Sequence, residues 1–382
     1  VRTVILGAGF GGLELTATLS EQLGTDADVV LIDRSEGFVF GFSKLDVMFG
    51  RREAAQVFHP YRDLAKPGVE FVQTTIRSID AEHKRVETDA GRFEGDVLVV
   101  ALGAELEPEA TPGLLEAGYE FYTNSGAFAL RDVLAGFRGG HVVVGVTSTP
   151  FKCPPAPSET ALLMHDFLTQ RGLREVSAIS LVMPLPAPVP PSPAASKALL
   201  EAFSEREIAW HPGKTVSHLD PGRKVVVFSD DSEMAFDLFL GVPKHRVPAV
   251  VEQSGLTVDG WVPVDPLTLK TRFSDVYAIG DVASVGTPKA GVFAEGQASV
   301  VAEQLVAPQR GAPSSLQYDG RGVCYLEFGH HEVGKVDVTF RSGQAPVGEL
   351  YGPSADIAAE KVDFGTSRIR RWFDRDWSVV AR

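Results

Sequence analysis

Val4-Ile5-Leu6 runs without a break into Gly7-Ala8-Gly9-Phe10-Gly11-Gly12, and a helical period (Leu13, Thr16, Ala17, Leu19, Leu23) follows. The pattern predicts a buried parallel strand, a tight turn and a helix N-terminus. Gly7 permits the turn, Gly9 admits a pyrophosphate to the backbone, and Gly12 lets helix and strand close on each other. The free N–H groups and positive dipole end of such a helix favour phosphate. A second strand, Asp28 to Ile32, ends in Asp33, 21 residues beyond Gly12. That is near the offset of roughly 20 at which a carboxylate takes the ribose hydroxyls of a dinucleotide. A dinucleotide site is therefore expected at this end of the chain.

At 382 residues the chain has room for two or three domains of about 150 residues each. Its net charge of −14 argues against a nucleic-acid partner. No apolar run reaches the roughly 18 residues of a membrane span, and no basic-then-apolar leader precedes the first strand. The expectation is a cytoplasmic protein or one peripheral to a membrane. Two cysteines, Cys153 and Cys324, make neither a disulfide framework nor a metal cluster, and no metal site is expected. They read either as one redox pair or as two buried, inert thiols.

Further along, Glu36 to Leu45 is aromatic and glycine-rich, fitting a loop over a planar ligand or an apolar strap over the core. Val69 to Ile79 and Arg85 to Thr88 alternate as strands of a small antiparallel unit. Asp96 to Ala104 is another apolar run, and its small terminal residues let backbone pass close to a ligand. His141 to Val146 reads as the strand opening a second βαβ unit, with Ile179 to Met183 next. A second nucleotide fingerprint is missing there. Gly145 is followed by Val146-Thr147-Ser148-Thr149-Pro150-Phe151-Lys152-Cys153, and Met183 leads into Pro184 with no ribose carboxylate. Pro184 to Pro193 reads as a polyproline-like connection. Leu238 to Val242 is predicted to bring the chain back to the first unit. A strand then ends in Gly280-Asp281, and a helix is predicted over Ala294 to Leu305. Asp281 reads as an acceptor for a ribityl hydroxyl or as a turn aspartate. Lys289 reads as a cation at a flavin edge or as a solvated side chain. From Ala358 to Trp377, aromatic and aliphatic residues mix with arginines. Such an end suits an anionic bilayer, the body of the protein or a second subunit equally.

The two cofactor motifs resemble those of the two-dinucleotide-domain flavoproteins, whose first domain is split in sequence and binds FAD with both pieces. Phe151-Lys152-Cys153-Pro154-Pro155-Ala156-Pro157-Ser158-Glu159, Thr287-Pro288-Lys289-Ala290-Gly291 and Gly322-Val323-Cys324-Tyr325 are similar to segments of sulfide:quinone oxidoreductases and of the flavoprotein subunit of flavocytochrome c sulfide dehydrogenase. The resemblance implies an α/β architecture of two Rossmann-like dinucleotide-binding domains. The FAD domain would be split over residues 1–108 and 236–307. A second domain, degenerate at its nicotinamide site, would cover 109–235, and a C-terminal α+β segment 308–382.

The resemblance also implies FAD held by Gly7, Gly9, Phe10, Gly12, Asp33, Arg34, Lys44, Ile76, Ala101, Gly103, Gly280, Asp281, Lys289, Ala290 and Gly291. Cys153 and Cys324 would face the flavin as its redox disulfide, with Glu159 as base and Lys289 holding the charge of the reduced ring. The third cysteine of many quinone-linked members is absent. The implied activity is FAD-dependent oxidation of sulfide, or of a small thiol or persulfide. Electrons would pass to a quinone near Phe293, Tyr325 and Phe328, or to another acceptor. The alternative is an NAD(P)H-dependent flavin oxidoreductase of the type II NADH dehydrogenase kind, against which the missing second fingerprint speaks. Peripheral membrane contact through the C-terminal stretch and a homodimer stay open.

Overall fold

The computed structural model describes residues 1–341 and 343–377. In chain order, strand β1 is Arg2–Leu6, helix α1 Phe10–Leu23, β2 Asp28–Asp33, β3 Val69–Gln73 and β4 Val97–Val100. Next come β5 (Gly118–Glu120), α2 (Asn124–Gly136), β6 (Gly140–Val146), α3 (Ala156–Gln170), β7 (Ser177–Met183), β8 (Ile208–Pro212) and β9 (Leu238–Val242). The chain closes with β10 (Val276–Ala278), α4 (Gly291–Gln309), β11 (Arg321–Gly329), β12 (Glu332–Thr339), β13 (Val347–Ser354) and α5 (Ala355–Phe373).

Two parallel sheets form the frame. The first has the order β10-β4-β1-β2-β3 and the second β5-β9-β6-β7-β8. Val4, Ile5 and Leu6 are wholly buried, as expected of a strand covered on both faces. The carboxyl ends of β1, β4 and β10 lie together, the place where open α/β sheets bind ligands. Gly7 adopts φ +101°, and a Cβ there would sit 2.4 Å from the Ala101 carbonyl oxygen. A Cβ at Gly12 would lie 1.9 Å from the Gly7 carbonyl oxygen. Only glycine lets α1 pack this closely on the turn.

Three expectations are corrected, two by the strand pairing and one by local conformation. Leu238–Val242 does not return to the first sheet. It pairs in parallel with β6 and completes the second, so the second unit runs past residue 235, and the crossing back is made by Lys244–Arg246 against Glu105–Glu107. Val69–Gln73 joins the first parallel sheet, and the antiparallel unit is Ile76–Asp80, Arg85–Thr88 and Gly91–Glu94. The stretch after Pro184 bends and turns into a helix that Ser192 caps by accepting from the Ala195 N–H.

The C-terminal segment is an antiparallel sheet, β11-β12-β13, followed by α5. Gly365, Ile369, Trp372 and Phe373 of α5 are buried. Trp372 stacks 5.9 Å from Phe40, and its indole N–H donates to Glu14 at 2.9 Å. The apolar face of this helix thus packs on the body of the protein. Among the described residues no helix is long and apolar enough to cross a membrane.

Candidate active site

A cavity of about 330 Å³ opens where the two sheets and the C-terminal segment meet. Gly9, Phe10 and Gly11 enter it from the start of α1, Ala101 and Gly103 from beyond β4, and Gly280 and Asp281 from beyond β10. Lys289, Ala290 and Gly291 come from the entry to α4, Cys153 and Glu159 from the entry to α3, and Cys324 and Tyr325 from β11. Val39 to Phe42, Lys44 and Leu45 line it too. The aromatic loop lines the cavity and is also an apolar strap over the core, with Phe40 beneath Trp372.

The residues fit FAD. Helices α1, α3 and α4 all begin at the cavity, and none of them has a side-chain cap. Their first-turn N–H groups have no intrahelical acceptor and suit the oxygens of an anionic cofactor. Asp281 faces the same space, its carboxyl raised by burial against the opposing pull of Lys152, Lys289 and Lys44. Five expected contacts do not line the cavity. Gly7 and Gly12 shape the turn behind it. Asp33 accepts the Ala8 N–H at 2.7 Å and the Ser35 N–H at 2.8 Å, tying the glycine turn to β2. Arg34 is exposed and pairs with Glu105 at 3.0 Å. Ile76 packs against a hydrophobic core cluster.

In the second unit Gly145 serves packing, since a Cβ there would lie 2.4 Å from the ring of Phe239. The chain then turns toward the first unit. Lys152 bridges to Lys289, and the Cys153 N–H donates to the Lys289 carbonyl at 2.7 Å. The stretch that would hold a nicotinamide fingerprint is pinned to the second cofactor motif, and this places Cys153 in the cavity. Cys153 has φ +51°, and its carbonyl accepts from the Tyr122 hydroxyl at 3.3 Å.

Cys153 and Cys324 are both free cysteines. Cys153 is exposed to the cavity, though protein surrounds it closely enough to desolvate the sulfur. Burial pushes the Cys153 thiol up, with the Glu159 carboxylate adding to it and Cys324 contributing. Burial and Glu159 likewise push Cys324 up to about 12. For Cys153, just before the start of α3, burial outweighs the stabilisation that a helix N-terminus gives a thiolate.

Glu159 is 4% exposed, and burial raises its carboxyl to about 7, Lys361 opposing and Glu327 adding. Its Oε1 accepts the Glu327 backbone N–H at 3.0 Å. Beneath it lies a charge network absent from the sequence reading. Glu327 accepts from Lys361 at 2.6 Å and from Arg51 at 2.6 and 3.1 Å, and Arg51 also pairs with Asp46 at 2.8 Å. Burial alone would raise Glu327, but Lys361 and Arg51 hold it well below the usual carboxylate range.

Lys289 lines the cavity, yet its ammonium donates to the Asp281 carbonyl at 2.6 Å and lies 3.3 Å from the centroid of the Trp261 ring. Burial lowers it to about 8, against Asp281. Lys44 is lowered to about 8, by burial and Lys152, and donates to the Tyr122 carbonyl at 2.5 Å. Tyr122 and Lys152 are cavity residues that the sequence reading missed, although Lys152 adjoins Cys153. Phe293 and Phe328 are each 2% exposed and belong to the core. The aromatic end of the cavity is built by Phe42, Tyr325 and Phe364 instead.

Among known proteins, the pyridine nucleotide-disulphide oxidoreductase family matches residues 1–300. A mitochondrial sulfide:quinone oxidoreductase of Dictyostelium discoideum is 23% identical over 351 residues, 87% of this chain and 76% of that protein. A type II NADH:quinone oxidoreductase of Staphylococcus saprophyticus is 31% identical over 121 residues, 31% of this chain and 30% of that protein. The crystal structure of the sulfide:quinone oxidoreductase from Aquifex aeolicus has the same fold, with a TM-score of 0.86 and 21% identity over 97% of this chain and 92% of that one.

Proposed function

Because the chain belongs to the pyridine nucleotide-disulphide oxidoreductase family and is an FAD-dependent oxidoreductase, we propose that Cys153 and Cys324 form its redox pair and that it oxidises sulfide or a small thiol or persulfide. The observation that carries this reading is the meeting of both cysteines with both cofactor motifs in one cavity. FAD, when bound, supplies a two-electron acceptor. Hydrosulfide attacks one sulfur of the oxidised pair. A new S–S bond forms and the bond between the cysteines breaks, leaving one as persulfide and the other as thiolate.

Burial and Glu159 raise both thiols, so the departing thiolate takes up a proton. The Glu159 carboxyl, at about 7, gives that proton as an acid in this step, where the resemblance implied a base. The uncapped N-termini of α1 and α4 orient the cofactor. Lys289 positions the Asp281–Ala283 backbone, to which its ammonium is bonded. A quinone as final acceptor suits the aromatic end at Phe42, Tyr325 and Phe364, where Tyr325 and Phe364 lie 5.3 Å apart.

The rival donor is NAD(P)H. Anaerobic mixing separates the two: sulfide is expected to bleach the oxidised flavin and NADH to leave it oxidised. Bleaching by NADH alone would refute the sulfur reading.

A further inference from the structure

Away from the cavity, α3 and the hairpin between β11 and β12 bring three metal-ligating side chains together. His165 and Asp166 lie farther along α3 than Glu159. His330 sits in the turn His330-His331, whose residues have φ +54° and +62°, the left-handed pair that a tight hairpin needs. One ligand atom from each of His165, Asp166 and His330 lies within 4.8 Å of the others. Both imidazoles approach the same carboxylate oxygen. His165 Nδ1 is 3.4 Å and His330 Nε2 3.2 Å from Asp166 Oδ1. Asp166 Oδ2 accepts the His330 backbone N–H at 2.6 Å, which fixes the carboxylate against the turn.

A tetrahedral cation with bonds of about 2.0–2.1 Å has ligand-to-ligand edges of about 3.3–3.4 Å. Both imidazole-to-carboxylate separations are close to that edge. The His330 side chain is 56% exposed, so it is free to rotate onto a shared cation, and solvent can supply a fourth ligand. Two imidazoles and one carboxylate form a set suited to zinc.

We propose that His165, Asp166 and His330 form a divalent-cation site of the zinc type. It clips α3, which begins just after Cys153, to β11, which carries Cys324. The experiment is calorimetric titration of zinc chloride into the FAD-loaded protein carrying Cys153→Ser and Cys324→Ser, so that no thiol competes. One equivalent of zinc is expected to bind. His330→Ala and His165→Gln should each weaken binding by about 10-fold or more, and zinc should raise the melting temperature of the parent more than that of these variants. His330 is exposed, so its replacement leaves the fold intact and a loss there reports ligation. Absence of binding in the parent, or undiminished binding in both histidine variants, overturns the proposal and leaves Asp166 as an anchor for the hairpin turn.

Discussion

Replacing Glu159 by glutamine removes the carboxyl proposed to protonate the leaving thiolate while keeping an oxygen for the Glu327 N–H. The wild-type carboxyl is 4% exposed and is raised by burial from 4.5 to about 7. That displacement disfavours the ionised form by about 3 kcal/mol. The contribution of this group to fold stability therefore falls as pH rises from 4.5 through about 7. For turnover, the protonated fraction drops about tenfold between pH 6 and pH 8 for a group titrating near 7. The limiting rate of flavin reduction by saturating sulfide, followed anaerobically by stopped flow, should fall by about that factor over the interval. Saturation removes the ionisation of free sulfide from the profile. Glu159→Gln should flatten the profile at a rate lower by about 10²-fold or more. A flat wild-type profile, or a glutamine variant that keeps the wild-type pH dependence, refutes the assignment.

Cys153→Ser and Cys324→Ser should each slow sulfide-dependent flavin reduction by roughly 10³-fold or more, with flavin content and chemical reduction by dithionite unchanged in the absorbance spectrum. Lys361→Met leaves the buried Glu327 with Arg51 alone. Because Arg51 still pairs with Glu327, it should cost about 1.5–3 kcal/mol in denaturation and, because Lys361 holds Glu159 down, move the pH limb of flavin reduction upward. Gly12→Ala drives a methyl to 1.9 Å from the Gly7 oxygen; a loss of about 1–3 kcal/mol or more and a lower flavin content on purification are expected.

The first fingerprint was legible because strand, turn and helix are local and each glycine meets its own steric demand. Gly7 and Gly12 do what their spacing predicts. In the second unit the missing fingerprint is a sequence fact, and Gly145 there answers to packing against the ring of Phe239. Less was readable where placement depends on partners far along the chain. Leu238–Val242 has the same apolar composition whichever sheet it completes, and only its register with β6 decides. Phe293 and Phe328 read as ligand-facing aromatics, but the sheet and helix turn them into the core. The network of Asp46, Arg51, Glu159, Glu327 and Lys361 joins separate elements. No spacing in the chain encodes it, and after burial it is the next influence on how readily Glu159 gives up its proton.

Peptide mapping of the oxidised holoenzyme before and after one equivalent of sulfide under anaerobic conditions tests the cysteine pair most directly. The account predicts a Cys153–Cys324 cross-linked peptide that is lost in step with flavin bleaching, with one extra sulfur recovered on one of the two cysteines. Bleaching of the flavin while both cysteines stay unlinked and unmodified throughout would contradict it.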